Sequence, residues 1–126
     1  MKKLFFSCLL ALLVTGSFAQ TSQTNAKGRT PEQRADHLTN WMNKKLTLTA
    51  DQKSKIYDVN LKYAKMNQEV RTTDADNRKT MHQELKGNEQ EREAEFKAIL
   101  TPEQFQLYQT AKQELVEKRM ERKRKR

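Results

Sequence analysis

Apolar residues in this chain recur at helical spacing in four stretches separated by polar breaks. In the first, Ala35, Leu38, Trp41, Met42 and Leu46 form one stripe along a helix face. In the second, Ile56, Val59, Tyr63, Met66 and Val70 follow a heptad seam that Tyr57, Leu61 and Ala64 broaden. The third carries Met81, Leu85, Phe96, Ile99 and Leu100, and the fourth Phe105, Tyr108, Ala111, Leu115 and Met120. The middle of the third is poor: Gly87, Asn88 and Arg92 occupy or flank positions where the seam calls for apolar side chains. Glycine costs about 1 kcal/mol against alanine in a helix interior, so a local kink or mobile stretch is expected there. No strand-like alternation competes anywhere, and the pattern predicts an all-α chain of four helices.

The helix starts are written in one dialect. Leu48-Thr49-Ala50-Asp51-Gln52 and Leu100-Thr101-Pro102-Glu103-Gln104 share the pattern L-T-x-[DE]-Q, and Arg29-Thr30-Pro31-Glu32-Gln33 repeats it without the leucine. A threonine followed three residues later by glutamine is the order of a capping box. The threonine hydroxyl accepts a backbone N–H of the first turn, and the glutamine side chain reaches back to the threonine N–H. Glu32, Asp51 and Glu103 put negative charge where the helix dipole favours it. Pro31 and Pro102 stand at the first helical position, where a missing N–H costs nothing. The first helix, capped by Thr30 and Gln33, is expected to run to about Lys45. The second opens at Thr49 and the fourth at Thr101. Thr72 to Asp76 interrupts the apolar pattern with turn residues, the alternative being one long unbroken helix. With a turn there, helices 2 and 3 pack antiparallel as an extended αα-hairpin, and the short first helix and the fourth flank its open end. The 52 residues from Leu48 to Leu100 are about one arm out and one back, which brings the two Leu-Thr corners side by side.

The first nineteen residues read as a cleavable signal peptide: Lys2 and Lys3 precede an apolar run from Leu4 to Val14, and Ser17-Phe18-Ala19 offers a cleavage site before Gln20. A lipid anchor at Cys8 and an uncleaved membrane helix are the alternatives. Residues 20–29 are a polar leader, 30–116 the helical domain and 117–126 a basic tail. Cys8 is the only cysteine, so the exported chain has no disulfide, no thiol catalysis and no thiolate zinc site. From Gln20 onward about 29% of residues are apolar, against ~45–50% in ordinary domains. Such a chain fills narrow seams rather than a thick core, and one small domain completed by self-association is expected.

Catalysis has little to stand on. His37 and His82 are the only histidines, and two solvent-facing helical histidines are the preferred reading over a ligand pair. There is no H-E-x-x-H pair and no glycine-rich phosphate loop. Glu89, Glu91, Glu93 and Glu95 alternate across helix faces and are expected to form a solvated surface with pairs such as Glu93 to Lys97. Ser22 and Ser54 have no base partner nearby in sequence. The expectation is a non-enzyme without cofactor or metal. Trp41, Met42, Leu61, Met66 and Met81 are seam residues that also suit an adaptable apolar binding groove. Lys118, Arg119, Arg122, Lys123, Arg124, Lys125 and Arg126 carry much of the formal charge of +9. They would attract a polyanion such as acidic lipid or lipopolysaccharide, or act only as a solvated tail. Export argues against nucleic acid.

Leu48, Thr49 and Gln52, with Leu100, Thr101 and Gln104, are the residues on which this chain resembles the Spy/CpxP family of periplasmic proteins. The likeness spans roughly Thr30 to Met120. It implies a thin four-helix chain forming a cradle-like homodimer in the periplasm. It also implies ATP-independent holding of unfolded or damaged envelope proteins, with some members acting on an envelope-stress sensor kinase. The motif residues would be structural. The chain departs from the zinc-associated branch in lacking cysteine after residue 19. Composition and basic tail are similar to those of uncharacterised envelope relatives in Bacteroidetes-type bacteria.

Overall fold

A computed structural model describes residues 28–126, and the expected signal peptide, its cleavage site and the leader as far as residue 27 lie outside the described residues. The described chain forms four helices and no strand: α1 Pro31–Leu46, α2 Ala50–Thr73, α3 Arg78–Ile99 and α4 Pro102–Arg124. Three of the four starts are the capping boxes written in the sequence. The N–H groups of Gln33, Gln52 and Gln104 each donate to their threonine Oγ1 at 3.2 Å, and each glutamine Oε1 accepts the threonine N–H. The fourth start uses Asn77, whose Oδ1 accepts the Thr80 N–H at 3.2 Å. Asp74 to Asn77 therefore breaks the long helix, and α2 and α3 form the hairpin.

α1 packs on α2, α2 on α3, and α4 reaches both α1 and the end of α3. The core gathers where the two corners meet. Met42, Leu46, Ile56, Val59, Tyr63, Phe96, Leu100 and Tyr108 are buried there, with Leu38, Trp41, Leu48, Met66, Ile99 and Phe105 packed around them. Tyr108 is its aromatic hub, meeting Phe96 edge-on at 5.4 Å and Trp41 edge-on at 6.4 Å. Such pairs add about 0.5–1.5 kcal/mol beyond the area they bury. Between α1 and α2 the buried Asn60 donates to Thr39 Oγ1 at 3.0 Å. The chain enters α2 through Thr47 at φ 52°, a left-handed conformation unusual for a β-branched residue.

One expectation is corrected. α3 runs unbroken through Gly87. A Cβ at that position would meet nothing within 4 Å, so glycine lowers helix propensity there without any steric cause for a kink. Instead of apolar packing, Asn88 donates to Asn67 Oδ1 of α2 at 2.9 Å. α4 continues to Arg124, so residues 117–124 of the basic tail form the last turns of that helix.

Candidate functional site

The two L-T-x-[DE]-Q corners do meet, and their glutamines join them. Gln52 Nε2 donates to Gln104 Oε1 at 2.7 Å and to the Ile99 carbonyl at 3.3 Å. Gln104 Nε2 returns a bond to Gln52 Oε1 at 3.1 Å and donates to the Leu46 carbonyl at 3.3 Å. Each Oε1 also accepts its own threonine N–H at 3.1 Å. A side-chain amide offers two N–H donors and an oxygen with two lone pairs, and here both amides are saturated. Thr49 and Thr101 stay exposed as caps, Leu100 is buried, and Leu48 packs half-buried against the core. The motif is thus a clasp between helix ends. Sequence reasoning found the caps but not the outward bonds of the glutamines. The one available signal, glutamine rather than glutamate in both copies, is blunted by Gln33, whose capping bonds stay within α1.

The acids of α3 converge where a solvated surface was expected. Glu89 and Glu93, one turn apart, both bind Lys112 of α4, Glu89 at 2.9 Å. Glu89 also pairs with Arg92, whose guanidinium lies over the Phe96 ring. Glu95 faces the other way, accepting from Tyr63 Oη at 2.6 Å and Lys62 Nζ at 2.7 Å. The expected Glu93–Lys97 pair does not form, because Glu93 is taken by α4. Burial alone would raise Glu89, but Arg92 and Lys112 outweigh it and leave its pKa lowered. Burial would lower Lys112, but its bonds to Glu93 and Glu89 leave it raised. Burial, then the bond to Glu95, pushes the Tyr63 hydroxyl up. These bridges tie α3 to its neighbours where apolar side chains are missing.

The apolar candidates divide. Met42 is 0% exposed and belongs to the core, so it is no surface anchor: the seam turns it inward between α1 and α2. Trp41 and Met66 are half-buried against that core, and Leu61 and Met81 are half-buried on α2 and α3. Among the described residues, the large apolar side chains left exposed are Leu107, Val116 and Met120, all on α4 at 53%, 42% and 55%. Leu107 and Val116 fall beside the Phe105–Tyr108–Ala111–Leu115 stripe, and that misplaced phase was the signal in the sequence. The last buried residue of α4 is Ala111; Lys112 to Arg124 extends past it, about 20 Å at 1.5 Å per residue. An open groove of about 440 Å³ between α3 and α4 is lined by Glu93, Lys112, Val116 and Glu117 among others. Lys118, Arg119, Arg122, Lys123, Arg124, Lys125 and Arg126 are all exposed at the end of this helix.

His37 and His82 are exposed on α1 and α3, helices that do not pack on each other. Among the described residues no group of three or more His, Cys, Asp and Glu side chains converges, and no helix is long and apolar enough to cross a membrane. Residues 19–108 match a family model described as a domain of unknown function, DUF4890. No curated protein and no solved structure matches the chain.

Proposed function

The chain belongs to the DUF4890 family, a domain of unknown function, and we propose that it is an exported, non-catalytic holdase. Its clients would be unfolded or damaged envelope proteins, bound without ATP. The observation that carries this reading is the outer half of α4, beyond its tie to α3 at Lys112. Past Ala111 it buries no side chain, yet it presents Val116 and Met120 among basic residues, with Leu107 exposed one turn before Ala111. Isolated apolar side chains on a charged helix give weak, reversible contact with exposed apolar segments. The surrounding cations raise the rate of encounter and make it sensitive to salt. Half-buried Trp41, Leu61, Met66 and Met81 would extend the contact, and a second copy would double it into the cradle that the Spy/CpxP resemblance implies.

Aggregation of several unrelated denatured proteins should fall at near-stoichiometric amounts of this chain, and less so at high salt. A variant with Leu107, Val116 and Met120 all changed to serine should lose most of the effect while keeping its helicity. Unchanged client aggregation with the native chain would end this reading. A second reading has its own support: the seven exposed cations at the end of α4 suit an acidic lipid or lipopolysaccharide surface. Removing residues 117–126 should abolish vesicle binding in that case and leave much of the holding activity. A single saturable partner in pull-downs, such as the periplasmic domain of a sensor kinase, would favour a regulatory module instead.

A further inference from the structure

Between the N-terminal half of α1, the middle of α2 and α3 lies a cavity of about 130 Å³ that the holding of clients does not use. Arg34, Arg71 and Arg92, one from each helix, line it together with Asn60 and Asn67, and no carboxylate is among its lining residues. Arg34 and Arg71 form no salt bridge among the described residues. Arg92 spends one nitrogen on Glu89, its side chain is only 15% exposed, and its Nε is buried with no hydrogen-bond partner. Asn67 has its Oδ1 engaged by Asn88, which leaves its amide N–H groups as donors. Arg34 is half-buried, Arg71 exposed and Arg92 nearly buried with Glu89 as its one carboxylate partner, so three cations share this hollow against a single acid and leave it net positive. A hollow of this volume has room for one compact oxyanion.

The geometry points to a receptor for one phosphate group, free or as a terminal monoester, gripped by Arg34, Arg71 and Arg92. Planar guanidinium forks match phosphate oxygens, and a group carrying about −1.5 to −2 at neutral pH balances the three cations once Glu89 is counted. Asn60 supplies the discrimination. It is 2% exposed, and its Oδ1 is an acceptor without a partner. Monohydrogen phosphate, and a phosphate monoester in its singly protonated form, carry one O–H to donate to such an acceptor, whereas sulfate and carboxylate carry none.

The test is thermal unfolding of the whole protein in inorganic phosphate, sulfate or chloride at matched ionic strength. Phosphate should raise Tm saturably, by about 5 °C or more well above its Kd, and sulfate should do so much less. Arg34→Gln with Arg71→Gln should abolish the shift with the circular dichroism spectrum unchanged. Lys123→Gln with Lys125→Gln, which removes the same charge from the end of α4, should leave the shift in place. Soluble glycerol phosphate and phosphatidic acid vesicles form the other arms. Arginine-dependent binding of the vesicles assigns the site to a headgroup, and binding of the soluble anions alone assigns it to a free phosphate or small monoester. No shift beyond chloride, an equal shift with sulfate, or a shift that survives loss of the two arginines overturns the proposal. None of these results depends on client holding.

Discussion

The corner end of the α2–α3 hairpin and its turn end are built from the same two helices and held in different ways. At the corner end Phe96, Tyr63, Ile56 and Met42 are sealed from water, and the saturated pair Gln52–Gln104 closes the helix termini over them. Toward the turn nothing on α3 before Phe96 is buried, and the contacts are polar: Asn88 with Asn67, and the acids of α3 with Lys112. Apolar burial scales with area removed from water and is insensitive to salt, whereas exposed and half-exposed ion pairs are screened and each contribute little. The molecule therefore has a firm end, which fixes the relative placement of all four helices, and a soft length, which keeps its surface polar and adaptable.

The largest expected contrast is in the core itself. Phe96→Ala should destabilise by about 3–5 kcal/mol, while Leu85→Ala, half-buried toward the turn, should cost no more than about 1.5 kcal/mol. Equal losses in denaturant titrations would erase the distinction between the ends. Next comes the clasp. Gln52→Glu keeps the capping geometry but turns a donor into a carboxylate facing Gln104 Oε1 and the Ile99 carbonyl, and should cost at least ~2 kcal/mol. Gln33→Glu, in a box that bonds only within α1, should stay within about 0.5 kcal/mol, helped by the helix dipole. Similar midpoints for the two variants would reduce the clasp to two ordinary caps.

The third test exploits acid. The folded pKa of Glu89 is lowered from its ordinary 4.5, so its contribution is complete above that value and is lost as pH falls through the lower folded one. Lys112, raised in the folded state, stays charged throughout that window. The Tm difference between the native chain and Glu89→Gln should therefore shrink on acidification from about pH 6 to 3, while that between native and Phe96→Ala changes little. A constant gap for Glu89→Gln would mean that the α3–α4 bridge is idle. The smallest effect belongs to Gly87→Ala. A methyl group there meets open space and improves helix propensity, so stability should rise by about 0.5–1 kcal/mol. A loss instead would mean that the soft length depends on the glycine.

Much of this contrast could be read from the chain before any coordinates. Thr30, Thr49 and Thr101 announce their helices because capping is local chemistry written within four residues. The heptad seam of α2 turned inward as its spacing implied, and the adjacency of the corners followed from arm length. What stayed hidden depended on partners far along the chain. Lys112 lies 23 residues from Glu89, and only the return of α4 beside α3 turns scattered acids into one cluster. Met42 looked like a groove residue because helical period does not say how deep a stripe lies. Leu107 and Val116 were visible only as apolar residues out of phase, and the gathering of Arg34, Arg71 and Arg92 across three helices left no local sign at all.

The glutamine clasp has a kinetic meaning as well. Its two halves are 52 residues apart, so they can close only after the chain has turned at Asp74–Asn77 and both arms have zipped toward the corners. We predict that these bonds form late and are absent from the folding transition state, because they close a long loop and add little apolar burial. Breaking the clasp should then leave the folding rate nearly untouched and speed unfolding by almost the whole equilibrium loss. Such a pair sets how long a folded molecule lasts rather than how quickly it forms.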